Sequence, residues 1–154
     1  MKPVEEQNSV AQLGEASSAE CVALRVRRMS RIITRIYDEA LRPLKLTASQ
    51  FTLLTAIAQQ DGITAAEIGA ALDIEKSTLS RNLKRLEALG YMSMDPPAGR
   101  HGRGLHLSET GRDAILTAFP IWKATQARVA EVLGNSSREA FDDMLANAER
   151  LLVA

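Results

Sequence analysis

The chain has 154 residues, 45% of them hydrophobic and 4% aromatic, and its 19 basic and 19 acidic side chains cancel to a formal charge of zero. This length suits one domain per chain, and so few aromatics argue against stacking on single-stranded nucleic acid. One cysteine excludes an intrachain disulfide framework and suits the cytoplasm, and no apolar run approaches the roughly 18 residues of a membrane span.

Residues 1–17 are mostly polar, with scattered acids and serines, and contain no apolar core of the kind a signal peptide carries. They are expected to form a mobile N-terminal tail. A long helix is expected from about Ser18 to Pro43. Val22, Val26, Met29, Ile33, Ile36, Tyr37, Ala40 and Leu41 share one face, and Arg28, Arg31, Arg35 and Arg42 share another. The arginine stripe reads as a solvated face. Thr47-Ala48-Ser49-Gln50 is a capping box that opens a second helix, with Phe51, Leu54, Ile57 and Ala58 inward.

The stretch from Thr64 to Ser108 is the most informative. Thr64-Ala65-Ala66-Glu67 is another capping box. It starts a short helix to Leu72, with Ile68, Ala71 and Leu72 as its inner stripe and small Gly69 and Ala70 for close packing. Asp73-Ile74 makes a tight turn into a helix over Glu75–Leu89. At 100° per residue, Leu79, Leu83, Leu86 and Leu89 fall on one side. Ser77, Ser80, Arg81 and Lys84 fall on the other, with Thr78 and Arg85 at its edge, and no carboxylate stands between Lys76 and Leu86. Gly90 ends the helix. Tyr91–Asp95 and Leu105–Leu107 read as the two strands of a hairpin around Ala98-Gly99-Arg100-His101-Gly102-Arg103-Gly104. Helix, turn, helix and basic hairpin form a winged helix-turn-helix, which places its second helix in the major groove of double-stranded DNA. Arg and Lys can bond guanine there, and Ser or Thr can bond bases or phosphates. The expected DNA-binding residues are Lys76, Ser77, Thr78, Ser80, Arg81, Lys84 and Arg85, with Arg100, His101 and Arg103 in the wing, where arginine suits a narrow minor groove. From Glu75 to Leu107 six basic residues face three acidic ones, so this region is positive within a neutral chain.

Ser108 and Glu109 start a long helix, in which Pro120 is expected to make a kink. Ser136-Ser137-Arg138-Glu139 caps a last helix to about Val153. Its apolar set is Phe141, Met144, Leu145, Ala148, Leu151 and Leu152, and it cannot hide that face alone.

Several pieces, in order over some 110 residues, resemble the MarR family of bacterial winged-helix regulators. They are Ser30-Arg31…Tyr37, Leu46-Thr47-Ala48-Ser49-Gln50-Phe51, Ile74-Glu75-Lys76-Ser77-Thr78-Leu79-Ser80-Arg81, Leu83…Leu86-Glu87…Gly90-Tyr91 and Leu107-Ser108-Glu109-Thr110-Gly111. The resemblance implies a mainly α fold with a small two-stranded β-wing, the winged domain at 46–111, and a helical dimerisation region at 18–45 and 112–154. It implies an intertwined homodimer on pseudo-palindromic promoter DNA, usually a repressor, released by a small molecule or by oxidation. The family's Asp-x-Arg before the return strand reads Gly99-Arg100-His101 here. If His101 makes the wing contact, binding weakens as pH rises and the imidazole loses its charge.

The resemblance also implies a ligand pocket between dimer helices and winged domain, for which Ile33, Tyr37, Phe51, Ile115, Phe119 and Trp122 are candidate walls. A small aromatic or other amphipathic effector would suit them, although core packing explains these residues equally well. Cys21 lies near the place of the reactive cysteine in the family's peroxide-sensing branch. It falls two residues too early, and of the assisting tyrosines only Tyr37 has a counterpart, so an inert Cys21 is the plainer reading. His101 and His106 with one cysteine make no zinc set, and no phosphate loop, nucleophile elbow or zincin motif is present. No cofactor, metal or enzymatic activity is therefore expected. Three classes remain: a DNA-binding regulator, a winged helix used for protein contact, and an enzyme without a visible site.

Overall fold

The computed structural model describes residues 4–96 and 102–152. The chain divides into two compact units, up to Arg35 and from Ile36 onward. The first contains helix α1 (Val4–Glu20) and most of α2 (Val22–Leu41). The expected tail is thus helical over most of its length. Ala, Glu, Gln and Leu make this segment a good helix former, and it escapes detection by periodicity because apolar residues do not gather on one face. The single expected helix from Ser18 is interrupted at Cys21. There the thiol Sγ accepts the Leu24 N–H at 3.3 Å, the position an N-cap oxygen would take. The Arg25 guanidinium turns to the carbonyls of Ala19 and Cys21.

In the second unit, α2 ends at Leu41 and passes into a single 3-10 turn, Arg42–Leu44, that contains Pro43. Proline removes a donor and crowds the preceding turn, which stops the α-helix two residues short of expectation. Helix α3 (Ala48–Gln59) opens with both arms of the Thr47/Gln50 capping box formed. It buries Phe51, Leu53, Leu54 and Ile57, whereas Ala58 is exposed. Leu53, not Ala58, completes the inner face because this helix is covered on a wide arc, by other helices and by the sheet.

Strand β1 (Ile63–Thr64) leads into α4 (Ala65–Leu72), which starts at the Thr64/Glu67 capping box. Only Ile68 of its expected stripe is buried; Ala71 and Leu72 are exposed. Eight residues give barely two turns, so one apolar contact row suffices. Gly69 does pack closely, since a Cβ there would lie 3.3 Å from the Leu79 side chain, whereas Ala70 is exposed. Asp73 adopts the left-handed conformation (φ 49°) that turns the chain into α5 (Lys76–Ala88).

The wing strands β2 (Met92–Met94) and β3 (Gly104–Leu107) are antiparallel, with Ser93 opposite His106. The expected two-stranded wing is a three-stranded sheet in the order β1-β3-β2, because Ile63 and Thr64 pair with Leu105 and Gly104. Helix α6 (Glu109–Leu133) runs through Pro120 without interruption. Helix α7 (Ser137–Arg150) stops short of Val153, and Ser136 stands at its start without a capping hydrogen bond. The core of this unit gathers α3, α4, α5 and the sheet around Leu53, Leu54, Ile57, Ile68, Leu86 and Leu105. Among the described residues no helix is long and apolar enough to cross a membrane.

Two glycines in helices test this packing in opposite directions. A Cβ on Gly111 would stand 1.9 Å from the Tyr91 carbonyl oxygen, whereas one on Gly14 meets nothing within 4 Å. Alanine normally gains about 1 kcal/mol over glycine inside a helix, but backbone overlap costs about 1–3 kcal/mol or more. Urea denaturation is expected to show Gly111→Ala destabilised by about 1–2 kcal/mol after that offset and Gly14→Ala unchanged or slightly stabilised.

Candidate nucleic-acid interface

The second helix of the helix-turn-helix divides cleanly. Leu79, Leu83 and Leu86 of α5 are buried, and Leu89, its C-cap, is half-buried. Lys76, Ser77, Thr78, Ser80, Arg81, Lys84 and Arg85 are all exposed. The leucines repeat at three and four residues, so burying them forces the hydroxyls and cations outward on the other side.

Both ends of α5 are closed by specific bonds. Glu75 is its N-cap: one carboxylate oxygen accepts the N–H groups of Ser77 at 3.0 Å and Thr78 at 3.2 Å, and the Ser77 hydroxyl as well. The Ser77 hydroxyl first, then these two N–H groups, hold the Glu75 carboxyl below its ordinary value. In the free chain the Ser77 hydroxyl proton is therefore committed to Glu75, and its oxygen remains available as an acceptor. At the other end Gly90 takes φ 72°. Its N–H donates to the Glu87 carbonyl, and the Tyr91 N–H donates to that of Leu86, the paired closure of a Schellman motif. Ser108 then joins this turn to α6: its hydroxyl donates to the Gly90 carbonyl at 2.6 Å and accepts the Gly111 N–H at 2.9 Å.

Of the three expected wing residues, Arg103 is described. Arg103 is exposed, but its guanidinium turns back to the carbonyls of Asp95 and Met94 and fastens the end of β2. Arg100 and His101, with Gly99, lie outside the described residues. His106, which was expected only to fail as a zinc ligand, sits between two carboxylates, Asp61 at 3.0 Å and Asp95 at 3.1 Å. Among the described residues no group of three His, Cys, Asp or Glu side chains is placed to hold a metal ion.

The MarR family's sequence model matches residues 44–101. The HTH-type transcriptional repressor Rv2887 of Mycobacterium tuberculosis is 28% identical over 120 residues, covering 77% of this chain and 86% of that protein. The crystal structure of the M. tuberculosis transcriptional regulator MosR superposes with a TM-score of 0.75 at 33% identity, covering 85% of this chain and 97% of that one. MosR in complex with DNA gives 0.74 at 31%, covering 86% and 98%. Rv2887 in complex with salicylic acid shares the fold, with a TM-score of 0.59 at 24% identity, covering 82% and 95%. This chain belongs to the MarR family.

Within this MarR-family chain the candidate effector walls are only partly gathered. Phe51, Trp122 and Phe119 form a row, with ring centroids 6.2 Å and 5.7 Å apart. Ile115 and Trp122 pack against the core. Tyr37 donates to the Gln126 side chain, and burial raises its phenol above the ordinary value. Ile33 belongs to the first unit. Three of these six residues are thus in contact as packed aromatics. A cavity of about 630 Å³ lies elsewhere, between α4, α5 and β2, lined by Gly69, Ile74, Leu79, Leu83 and Met94 and by Lys76 and Lys84. Sequence reasoning did not foresee it, nor the Glu75 cap and the His106 pairs. Glu75 was legible in principle, as an acid just ahead of a helix. The other features join residues that are distant in sequence.

Both capping carboxylates of the helix-turn-helix have lowered values, Glu67 chiefly through the Thr64 N–H and Glu75 chiefly through the Ser77 hydroxyl. Their contribution is fully present above the unfolded carboxylate value and is lost as pH falls through the folded one. Thermal melts from pH 6 to pH 3 should therefore show a falling Tm. The double variant Glu67→Gln with Glu75→Gln should start lower at pH 6 and lose less on acidification; an unchanged slope would dismiss these caps as a source of acid sensitivity.

Proposed function

We propose that this chain is a homodimeric transcriptional regulator that binds double-stranded DNA at pseudo-palindromic promoter sites in the cytoplasm. It acts as a repressor and is released by a small amphipathic effector. Residues 46–111 bind DNA, and the helices of 18–45 and 112–154 dimerise. The observation that carries this reading is α5, whose exposed side offers four cations and three hydroxyls and no carboxylate between Lys76 and Leu86. Arg81 and Ser77 reach base edges or adjacent phosphates, and Lys84 and Arg85 hold the backbone. The similarity to MosR, which has been solved with DNA, supports the placement. Rv2887, a relative crystallised with salicylic acid, makes an aromatic carboxylate the first effector class to try.

The dimer is supported by apolar surface that a lone chain leaves in water. On α7, Phe141, Met144 and Leu145 are all exposed, Leu145 by 61%, and Leu151 and Leu152 follow. On α2, Val22, Val26 and Met29 are exposed as well. Apolar surface on this scale marks an association face, and two recognition helices in a dimer read half-sites about 34–36 Å apart.

Anisotropy of labelled duplexes, selected from a random library by the purified protein, tests the DNA reading. Affinity should fall steeply with salt, with a log–log slope near −0.9 for each neutralised phosphate, and Arg81→Ala should cost roughly 1–3 kcal/mol at a selected site. Wild-type affinity in that variant would remove α5 from the groove. A shallow salt slope with no selected site would favour a winged helix used for protein contact. Sedimentation should give a dimer for the wild type and a monomer for Leu145→Glu, with loss of tight DNA binding; a dimeric variant would move the interface away from α7.

A further inference from the structure

The least expected arrangement in the molecule is the position of His106 in β3. Its Nδ1 lies 3.0 Å from an Asp61 carboxylate oxygen and its Nε2 lies 3.1 Å from an Asp95 carboxylate oxygen. A neutral imidazole carries one N–H, so it can serve one of these carboxylates and must present a lone pair to the other. Only the imidazolium donates to both, and each bond is then charge-assisted.

The surroundings fit this geometry. Asp61 comes from the segment between α3 and β1, and Asp95 from the end of β2, so the ring joins two segments that flank its own strand. Gly104 makes room for the second carboxylate, since a Cβ there would stand 2.5 Å from the other Asp95 oxygen. Gly62 takes φ 78° and donates to the Leu105 carbonyl, and a Cβ on it would lie 3.7 Å from the imidazole. Among the described residues, the neighbouring charges are Arg103, held on the carbonyls of Asp95 and Met94, and Arg112 of α6, which shares a surface hollow with Asp61.

We propose that His106 is a positioning residue of the DNA interface: its imidazolium clasps Asp61 and Asp95 and sets the base of the wing, so that DNA affinity falls as pH rises and the clasp loses its proton. The proposal rests on the DNA-binding reading above. Two effects act in the same direction. Deprotonation releases one of the two carboxylates, loosening the base of β2 and β3. It also removes the positive charge that offsets one of those carboxylates at the base of the wing, which adds net negative charge to the chain that must approach a polyanion. The geometry favours the proton, and the Asp61 hydrogen bond foremost, against an opposing cost of desolvation and with further help from the Asp61 charge and from Asp95, raises the imidazole above its ordinary value of 6.5.

The chain has two histidines, so the test is clean. Affinity for a selected duplex is measured from pH 5.5 to 8.5 at constant ionic strength for the wild type, His106→Gln and His101→Gln. A difference of half a unit between free and bound values corresponds to about a threefold change. The wild type and His101→Gln should lose about that much affinity across the range, and His106→Gln should be flat. A slope that survives in His106→Gln, or vanishes in His101→Gln, overturns the proposal. NMR titration of the imidazoles in the free protein gives a second measurement that does not depend on the folding of His106→Gln. Asp61→Asn should move the His106 midpoint down, and an unmoved midpoint overturns the clasp. Absence of selective binding at every pH defeats the DNA-binding reading itself, whereas selective binding with an unchanged slope defeats only the role of His106.

Discussion

The leucine stripe of α5 is the constraint on which the rest of the winged unit depends. Removing a leucine side chain from water is worth about 1.5–3 kcal/mol, so Leu79, Leu83 and Leu86 together outweigh any single cap or surface pair. A helix of 13 residues with three leucines on one side has one way to bury them. That orientation brings Leu79 against Gly69 of α4, where only a small residue lets the two helices close. It also leaves the opposite face, with its cations and hydroxyls, no place but solvent. The charge pattern of the exposed face is thus a consequence of the core.

Orientation alone does not set where the helix begins and ends, and here the polar closures matter. The Gly90–Tyr91 turn satisfies the last carbonyls of α5, and the backbone of Tyr91 then rests on Gly111 of α6. Ser108 hydrogen-bonds on both sides of that contact. One serine and two glycines thereby couple the C-terminal end of α5 to the start of α6. Strain in α6 would reach α5 through backbone contacts rather than through a flexible loop.

Much of this was legible because its chemistry is local. Thr47 with Gln50 and Thr64 with Glu67 announce helix starts within four residues, and both boxes form. Gly90 marks its own turn. The failures have an equally physical origin. Ile63–Thr64 is too short to show a period of two, and it becomes a strand only because β3 offers an edge to pair with. Helix α1 has helix-forming composition but no apolar side, so periodicity is blind to it. Leu53 is buried and Ala58 is not because coverage of α3 depends on what surrounds it. His106 meets Asp61 across 45 positions, a distance at which spacing rules carry no signal.

A neutral chain that offers a positive face must hold its negative charge somewhere. Around the helix-turn-helix and wing, four carboxylates are held by hydrogen bonds, whereas those of Asp73 and Glu87 are exposed. Glu67 accepts from Thr64, Glu75 from Ser77 and Thr78, and Asp61 and Asp95 share His106. Each of these four is directed at a donor within its own fold, whereas Lys76, Arg81, Lys84 and Arg85 are exposed. At physiological ionic strength charges are screened over about 8 Å, so the Glu75 carboxylate, bonded to Ser77 beside Lys76, is felt on the same face as the cations of α5. Removing one of these acids would therefore bring two opposing changes, less repulsion of an incoming phosphate and a looser helix start or wing base. For Glu75 the second effect falls on the helix that presents Arg81, and a gain in positive charge there comes with a looser start of that helix.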